Sequence, residues 1–305
     1  MIALDHVSRR YEGFSALEDV TLTVADGEIL VLIGTSGSGK STLLQLINRL
    51  QDPSSGTVRV DGEDIAGIAP EQLRRRMGYV IQGGGLFPHW TVARNIATVP
   101  RLLGWDRARI DARVDELLDL LRLDAARLRN AYPHMLSGGQ QQRVGVARAL
   151  AAGPSILLMD EPFGALDPVT RAELQAEIRR IHTETGCTIV FVTHDMDEAL
   201  GLATRIAVID RGRLIQLGTP LELLTHPATD QVARFIGTTD RGLKLLAVQR
   251  VGDRVRPGET TPGDPVGGDL SLSGALSEMV TRAQDRLPVS DPAGVIHLAD
   301  LIRPA

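Results

Sequence analysis

Two kinds of apolar pattern alternate along this chain. Ile29-Leu-Val-Leu-Ile33, Ile156-Leu-Leu-Met159, Thr188-Ile-Val-Phe-Val192 and Ile206-Ala-Val-Ile209 are short, nearly continuous apolar runs. Runs without polar alternation suit strands covered on both faces, as in a parallel sheet. Between them the spacing becomes helical. Over Ser41–Leu50 it falls on Leu43, Leu44, Leu46, Ile47 and Leu50; over Arg109–Leu123 it falls on Val114, Leu117, Leu118 and Leu121. Further helices are predicted over 140–151 and 169–183. Strands alternating with helices predict an α/β fold with a parallel sheet. Residues 1–33 read as short strands with turns, ending in the Ile29–Ile33 run, and 53–65 as turn-rich and strand-like. The stretch 88–150 is helical in character and reads as an insertion into the sheet. Residues 252–268 hold five glycines and three prolines, which predicts a linker or long loop. The tail beyond it is partly ordered, with a helix over 276–286 and an apolar end over 295–302.

Composition narrows the class. At 305 residues the chain is long for one domain and comfortable for two. Hydrophobic residues are 43% and charged residues 23%, which excludes a fibrous, collagen-like or wholly disordered protein. With 33 basic and 38 acidic residues the net charge is -5, so no nucleic-acid partner is expected; counterion release needs a basic surface. Lys40 and Lys244 are the two lysines. No stretch approaches the roughly 18–20 apolar residues of a membrane span. The start, Met1-Ile-Ala-Leu-Asp5, lacks the pattern of a signal peptide. Cys187, beside an apolar run, reads as a buried structural thiol, and one cysteine points to a reducing compartment, the cytoplasm.

Gly34-Thr-Ser-Gly-Ser-Gly39-Lys40-Ser41 matches the phosphate-binding loop G-x-x-x-x-G-K-[ST], between an apolar strand and a helix. Its glycines let backbone N–H groups converge on phosphate oxygens, and the helix end adds partial positive charge. Lys40 can reach the β and γ phosphates and Ser41 can ligate Mg²⁺. The strand Ile156–Met159 ends in Asp160-Glu161. Asp160 is a candidate Mg²⁺ ligand, and Glu161 a candidate base for in-line attack of water on the γ phosphate. Leu136-Ser-Gly-Gly-Gln140 opens a helix, either as an anion cradle or as an ordinary serine cap. A second cradle in one chain points to another subunit's nucleotide.

The loop, Gln82, Leu136–Gln140, Asp160-Glu161, Ala165-Leu166-Asp167 and His194 follow the order of the ATPase subunits of ABC transporters, and 1–240 resembles that family. The resemblance implies a P-loop NTPase: a RecA-like core, an antiparallel β subdomain and a helical subdomain at about 88–150. It implies a homodimer with two ATP molecules sandwiched, each between the loop of one copy and the Ser137 segment of the other. Gly34, Thr35, Ser36, Gly37, Ser38, Gly39, Lys40, Ser41 and Thr42 would bind ATP. Tyr11 would stack on adenine, although alone it reads equally as a packing residue. Ser41, Gln82 and Asp160 would serve Mg²⁺. Glu161 would be the base, and His194 would contact the γ phosphate. Gln82 would touch the attacking water and report to membrane subunits. Leu136, Ser137, Gly138, Gly139 and Gln140 would contact ATP across the dimer, and Asp167 would bridge the copies.

More narrowly, Gly83-Gly-Gly-Leu-Phe-Pro-His-Trp-Thr-Val92, Asn95–Pro100, His226-Pro-Ala-Thr229 and Asp240-Arg-Gly-Leu-Lys244 are similar to importer ATPases for glycine betaine, choline and carnitine. Gly83 departs from that pattern, which has glutamine there. The resemblance implies integral-membrane permease subunits, an extracytoplasmic solute-binding protein and a peripheral position on the cytoplasmic face of the inner membrane. An importer of another small solute, such as an amino acid, stays open. A soluble ABC ATPase of DNA repair would need a coiled coil between Gln82 and Leu136, where there is no room, and one of translation would need two cassettes. Ala275–Met279, Arg286–Val289, Asp291 and Ile296–Ile302 resemble a CBS module. The expected division is thus 1–240 ATPase, 241–253 connector and 254–305 a single CBS-like tail, which either pairs between copies or is a remnant.

Overall fold

The computed structural model describes residues 1–164, 166–237 and 240–302. Ala165 of the Ala165-Leu166-Asp167 motif lies outside the described residues, as do the last three residues of the tail. The chain divides into two compact units, one formed by Met1–Asp195 with Leu202–Leu217 and the other by Met196–Gly201 with Gly218–Ala305.

The first unit contains two sheets. The antiparallel one runs in the order Phe14–Val24, Ile2–Tyr11, Ser55–Val60, Glu63–Asp64. The six-stranded one runs Arg213–Gly218, Arg205–Asp210, Ile29–Ile33, Thr188–Val192, Ile156–Asp160, Met77–Val80, and from Arg205–Asp210 to Met77–Val80 its neighbours are parallel. The continuous apolar runs are its central strands, and Ile29–Ile33, Ile156–Asp160 and Thr188–Val192 are buried throughout. Helix Lys40–Ile47 places Leu43, Leu44, Leu46 and Ile47 in one core with Leu4, Leu17 and Leu22 of the antiparallel sheet and Leu30, Leu158 and Val190 of the parallel one. Each such side chain contributes about 1.5–3 kcal/mol by burial. That core fixes the helix N-terminus at the carboxyl edge of the parallel strands. The helical insertion comprises Val92–Ile96, Thr98–Leu102, Arg107–Leu120, Ala125–Leu128 and Gly138–Leu150. Cys187 is buried, and burial pushes its thiol pKa up.

The second unit departs from expectation at two places. Arg241–Val248, expected as connector, is a helix whose Leu246 packs on the tail core, and the compact unit that holds the tail takes in Met196–Gly201 and everything from Gly218 on, rather than starting near 254. Residues 252–268, expected as a linker, are tied into the same unit. Val251 and Val266 join a core with Leu272, Met279, Leu287, Val289, Ile296 and Leu301. The Gly252 N–H donates to Gly268 O at 2.8 Å, and the Val266 N–H to Pro288 O at 2.9 Å. A Cβ at Gly268 would stand 1.9 Å from Asp291 O, so glycine there serves close backbone approach, not flexibility. The tail helix is Leu272–Arg282, earlier than expected because the Ser271 side chain caps it. An antiparallel sheet, Arg256–Pro257, Ala293–His297, Arg286–Ser290, completes the unit. Arg256 donates two hydrogen bonds, of 2.9 and 2.8 Å, to the buried Asp300 carboxylate.

Candidate nucleotide site

The site grows from the carboxyl edge of the parallel sheet, where α/β folds place ligands. Strand Ile29–Ile33 feeds the Gly34–Ser41 loop directly. A Cβ at Gly34 would lie 2.0 Å from Ile209 O, and at Gly39, where φ is +104°, one would lie 2.4 Å from Ala16 O. Only glycine admits that path, which turns the loop's N–H groups into the cleft and delivers Lys40 at the helix start. Lys40 is buried, and its Nζ donates to Gly34 O and Thr35 O, both at 2.8 Å. Burial lowers its pKa, while the charges of Glu161 and Asp160 act in the opposite direction.

Parallel pairing sets Asp160 beside Val192. Burial raises the Asp160 pKa, and the hydrogen bond from Ser41 Oγ, 3.0 Å from Oδ1, partly offsets it. The chain then turns sharply. Glu161 has φ +47°, left-handed for a residue with a Cβ, and its N–H donates to Val192 O at 3.1 Å. Such a conformation costs of order 1–3 kcal/mol and persists only where the surroundings enforce it. Here it accompanies a carboxylate turned to the cleft: Gln82 Nε2 donates to Oε2 at 2.9 Å, and His194 Nδ1 stands 3.5 Å from Oε1. Gln82 is two residues beyond strand Met77–Val80 and His194 two beyond Thr188–Val192, so adjacent strands supply the three groups.

These residues share a cleft of about 600 Å³ lined by Tyr11, Phe14, Ala16, Ser36–Thr42, Gln82, Glu161 and His194. Tyr11 and Phe14 present two exposed rings at its mouth, 41% and 57% accessible. The Tyr11 hydroxyl donates to Gln51, and the Arg9 guanidinium lies 4.7 Å from the Tyr11 ring centroid. Sequence reading missed Phe14; its signal was an aromatic residue at the start of a strand, three positions from Tyr11.

Leu136–Gln140 does not line this cleft. Ser137 caps helix Gly138–Leu150, its Oγ accepting from the Gln140 N–H while Gln140 Oε1 accepts from the Ser137 N–H. Ser137, Gly139 and Gln140 line a separate depression of about 300 Å³ with Arg122, Arg127 and Arg143. Leu136 is buried, and Ser137 and Gly138 are exposed. Asp167 is exposed and caps helix Pro168–Thr185. Hydrogen bonds, chiefly with Thr170, hold its carboxyl below the usual range. Within one chain the structure therefore assembles the loop, both carboxylates, Gln82, His194 and Tyr11, and leaves Ser137 and Asp167 outside. Gly83, Gly84 and Gly85 follow Gln82 with φ of +72°, +79° and +51°.

Comparison with known proteins accounts for this assembly. The ABC transporter family matches residues 17–164. The glycine betaine uptake system ATP-binding protein YehX of Escherichia coli K12 is 54% identical, over 99% of this chain and 99% of its own. The chain belongs to the ABC transporter ATPases. Another relative of this ATPase is the glycine betaine/carnitine/choline transport ATP-binding protein OpuCA of Bacillus subtilis, 46% identical over 97% of this chain and 77% of its own. Among solved structures, the ATP-binding cassette MJ0796, in a dimeric post-hydrolysis state with ADP and Pi, superposes with TM-score 0.67 at 34% identity. It covers 72% of this ATPase and 99% of MJ0796. No helix among the described residues is long and apolar enough to cross a membrane.

Proposed function

We propose that this ABC ATPase energises uptake of a quaternary-amine osmoprotectant such as glycine betaine, choline or carnitine. The observation that carries the reading is the full-length 54% identity to a glycine betaine uptake ATPase, since it extends through the second unit as well as the cassette. The remaining partners follow from that reading: permease subunits that carry the solute, an extracytoplasmic binding protein that captures it, and a peripheral place at the cytoplasmic face of the membrane. The test is uptake of labelled glycine betaine, choline and carnitine by cells with and without the gene. Loss of uptake of at least one is expected; unchanged uptake of all three, with loss for another solute, would overturn the substrate class.

The chemistry assigned to each residue follows the resemblance to the ABC ATPases, and the cleft geometry supports it. Lys40 would exchange its two carbonyl acceptors for β- and γ-phosphate oxygens, and the loop N–H groups would hold the remaining phosphate charge. Tyr11 would stack on the adenine, with Phe14 beside it. Ser41 Oγ and the Asp160 carboxylate are hard oxygen donors 3.0 Å apart, which suits Mg²⁺, with Gln82 as a third. Bound there, Mg²⁺ would neutralise charge developing on the phosphate oxygens. Glu161 would take the proton of the attacking water, Gln82 would orient that water, and His194 would donate to the γ phosphate.

The exposed Ser137 and Asp167, both outside the cleft, support a two-fold homodimer in which the Leu136–Gln140 segment of one copy closes on the nucleotide of the other. The dimeric state of the MJ0796 cassette supports the same arrangement. For the tail we favour a single CBS-like module that pairs with its counterpart in that dimer. Val280 on the tail helix is 73% exposed and fits such a face. Val280→Glu is expected to weaken dimerisation of the full chain in analytical ultracentrifugation with ATP; an unchanged association constant would remove the tail from the dimer contact.

A further inference from the structure

Helix Gly138–Leu150 carries Ser137 at its start, and its side packs on the backbone that follows Gln82. Arg148 is 9% exposed. No carboxylate pairs with it among the described residues. Its Nη1 donates to Gly85 O at 2.8 Å and its Nη2 to Gly84 O at 3.0 Å. The guanidinium carbon also lies 5.9 Å from the Phe87 ring centroid. A buried cation is costly to maintain unless its hydrogen bonds are met, and here two consecutive glycine carbonyls meet them. The planar guanidinium reaches both at once with two donors held in a fixed fork, one on each terminal nitrogen. The helix also comes close to the loop backbone at Gly145, where a Cβ would lie 3.2 Å from Gly84 O and 3.3 Å from Gly84 Cα. Three left-handed glycines and one turn hydrogen bond, Gly84 N–H to Ile81 O at 3.0 Å, give this loop little rigidity of its own, so its position depends on what holds it from outside.

We propose that Arg148 is a positioning residue for hydrolysis. It fixes the Gly84–Gly85 carbonyls to the helix that begins at Ser137 and thereby sets where Gln82 stands relative to Glu161. The site at which water is oriented and the segment offered to a second nucleotide then belong to one rigid piece. The inference rests on the role proposed for Gln82.

The test is a double-mutant cycle on ATP hydrolysis by the full-length chain, with kcat and KM measured separately. Arg148→Lys keeps the charge and loses the fork. Gly145→Ala keeps Arg148, favours the helix and crowds the loop. Each is expected to lower kcat about tenfold with KM for ATP unchanged, and to have no further effect in a Gln82→Ala background. Equal losses in both backgrounds would overturn the positioning role while leaving Gln82 in place. A Gln82→Ala chain with wild-type kcat would overturn the assigned role of Gln82 and this inference with it.

Discussion

Glu161→Gln is expected to bind ATP as the wild-type chain does and to hydrolyse it about 10²–10⁴-fold more slowly. The substitution removes one capability, that of accepting a proton from water. The amide preserves the shape of the side chain and can still accept from Gln82 Nε2, the contact that spans 2.9 Å in the native cleft. The phosphate contacts come from the Gly34–Ser41 loop and Lys40, which the change does not touch. Ground-state binding is therefore retained while the transition state loses its base, which lowers kcat without moving the ATP dissociation constant. Single-turnover hydrolysis with labelled ATP, alongside equilibrium binding of the same nucleotide, separates the two quantities. Hydrolysis within about threefold of wild type would remove Glu161 from the base role and leave another group to be found.

Lys40→Ala acts on the opposite quantity. The ammonium is buried, and in the free chain it satisfies two carbonyl oxygens, those of Gly34 and Thr35. When ATP binds it would trade them for phosphate oxygens, hydrogen bonds to a charged group worth about 1.5–3 kcal/mol each. Truncation forfeits those contacts and leaves the loop carbonyls without a donor. A fall in ATP affinity of about 10²-fold is expected, read by isothermal titration calorimetry. Unchanged affinity would show that the loop N–H groups alone carry the phosphates. The two variants are complementary, one losing turnover with binding intact and the other losing binding itself.

How far the sequence reaches can be judged residue by residue. The strand–glycine loop–helix at 29–47 was legible because each part carries its own local pattern: an apolar run, the G-x-x-x-x-G-K-[ST] spacing, and leucines at helical spacing. The helical insertion at 88–150 was legible from its change of pattern, while the antiparallel pairing of the early strands followed from the family resemblance. The second unit was read poorly. Its glycines and prolines at 252–268 suggested a linker, yet Val251 and Val266 anchor that stretch in a core. Within those seventeen positions Val255 and Val266 are the two apolar side chains besides the prolines, too few to give a period to detect. The helix Arg241–Val248 escaped for a related reason, since its partners lie elsewhere in the tail.

The sequence by itself determined the buried parallel strands and the phosphate loop, and it pointed to Lys40, Asp160 and Glu161 as candidates at the cleft. Those depend on interactions within a few residues, which a linear pattern records. Tertiary structure alone decided that Gln82 meets Glu161 across 79 residues, that Glu161 turns through a left-handed backbone to do so, and that Arg148 holds two glycine carbonyls 63 and 64 residues away. It also decided that Phe14 joins Tyr11 at the cleft mouth. For Gln82, Glu161 and Arg148 the physical reason is common: each contact exists because separate strands and helices are packed in one register, and no stretch of chain short enough to read as a pattern contains both partners.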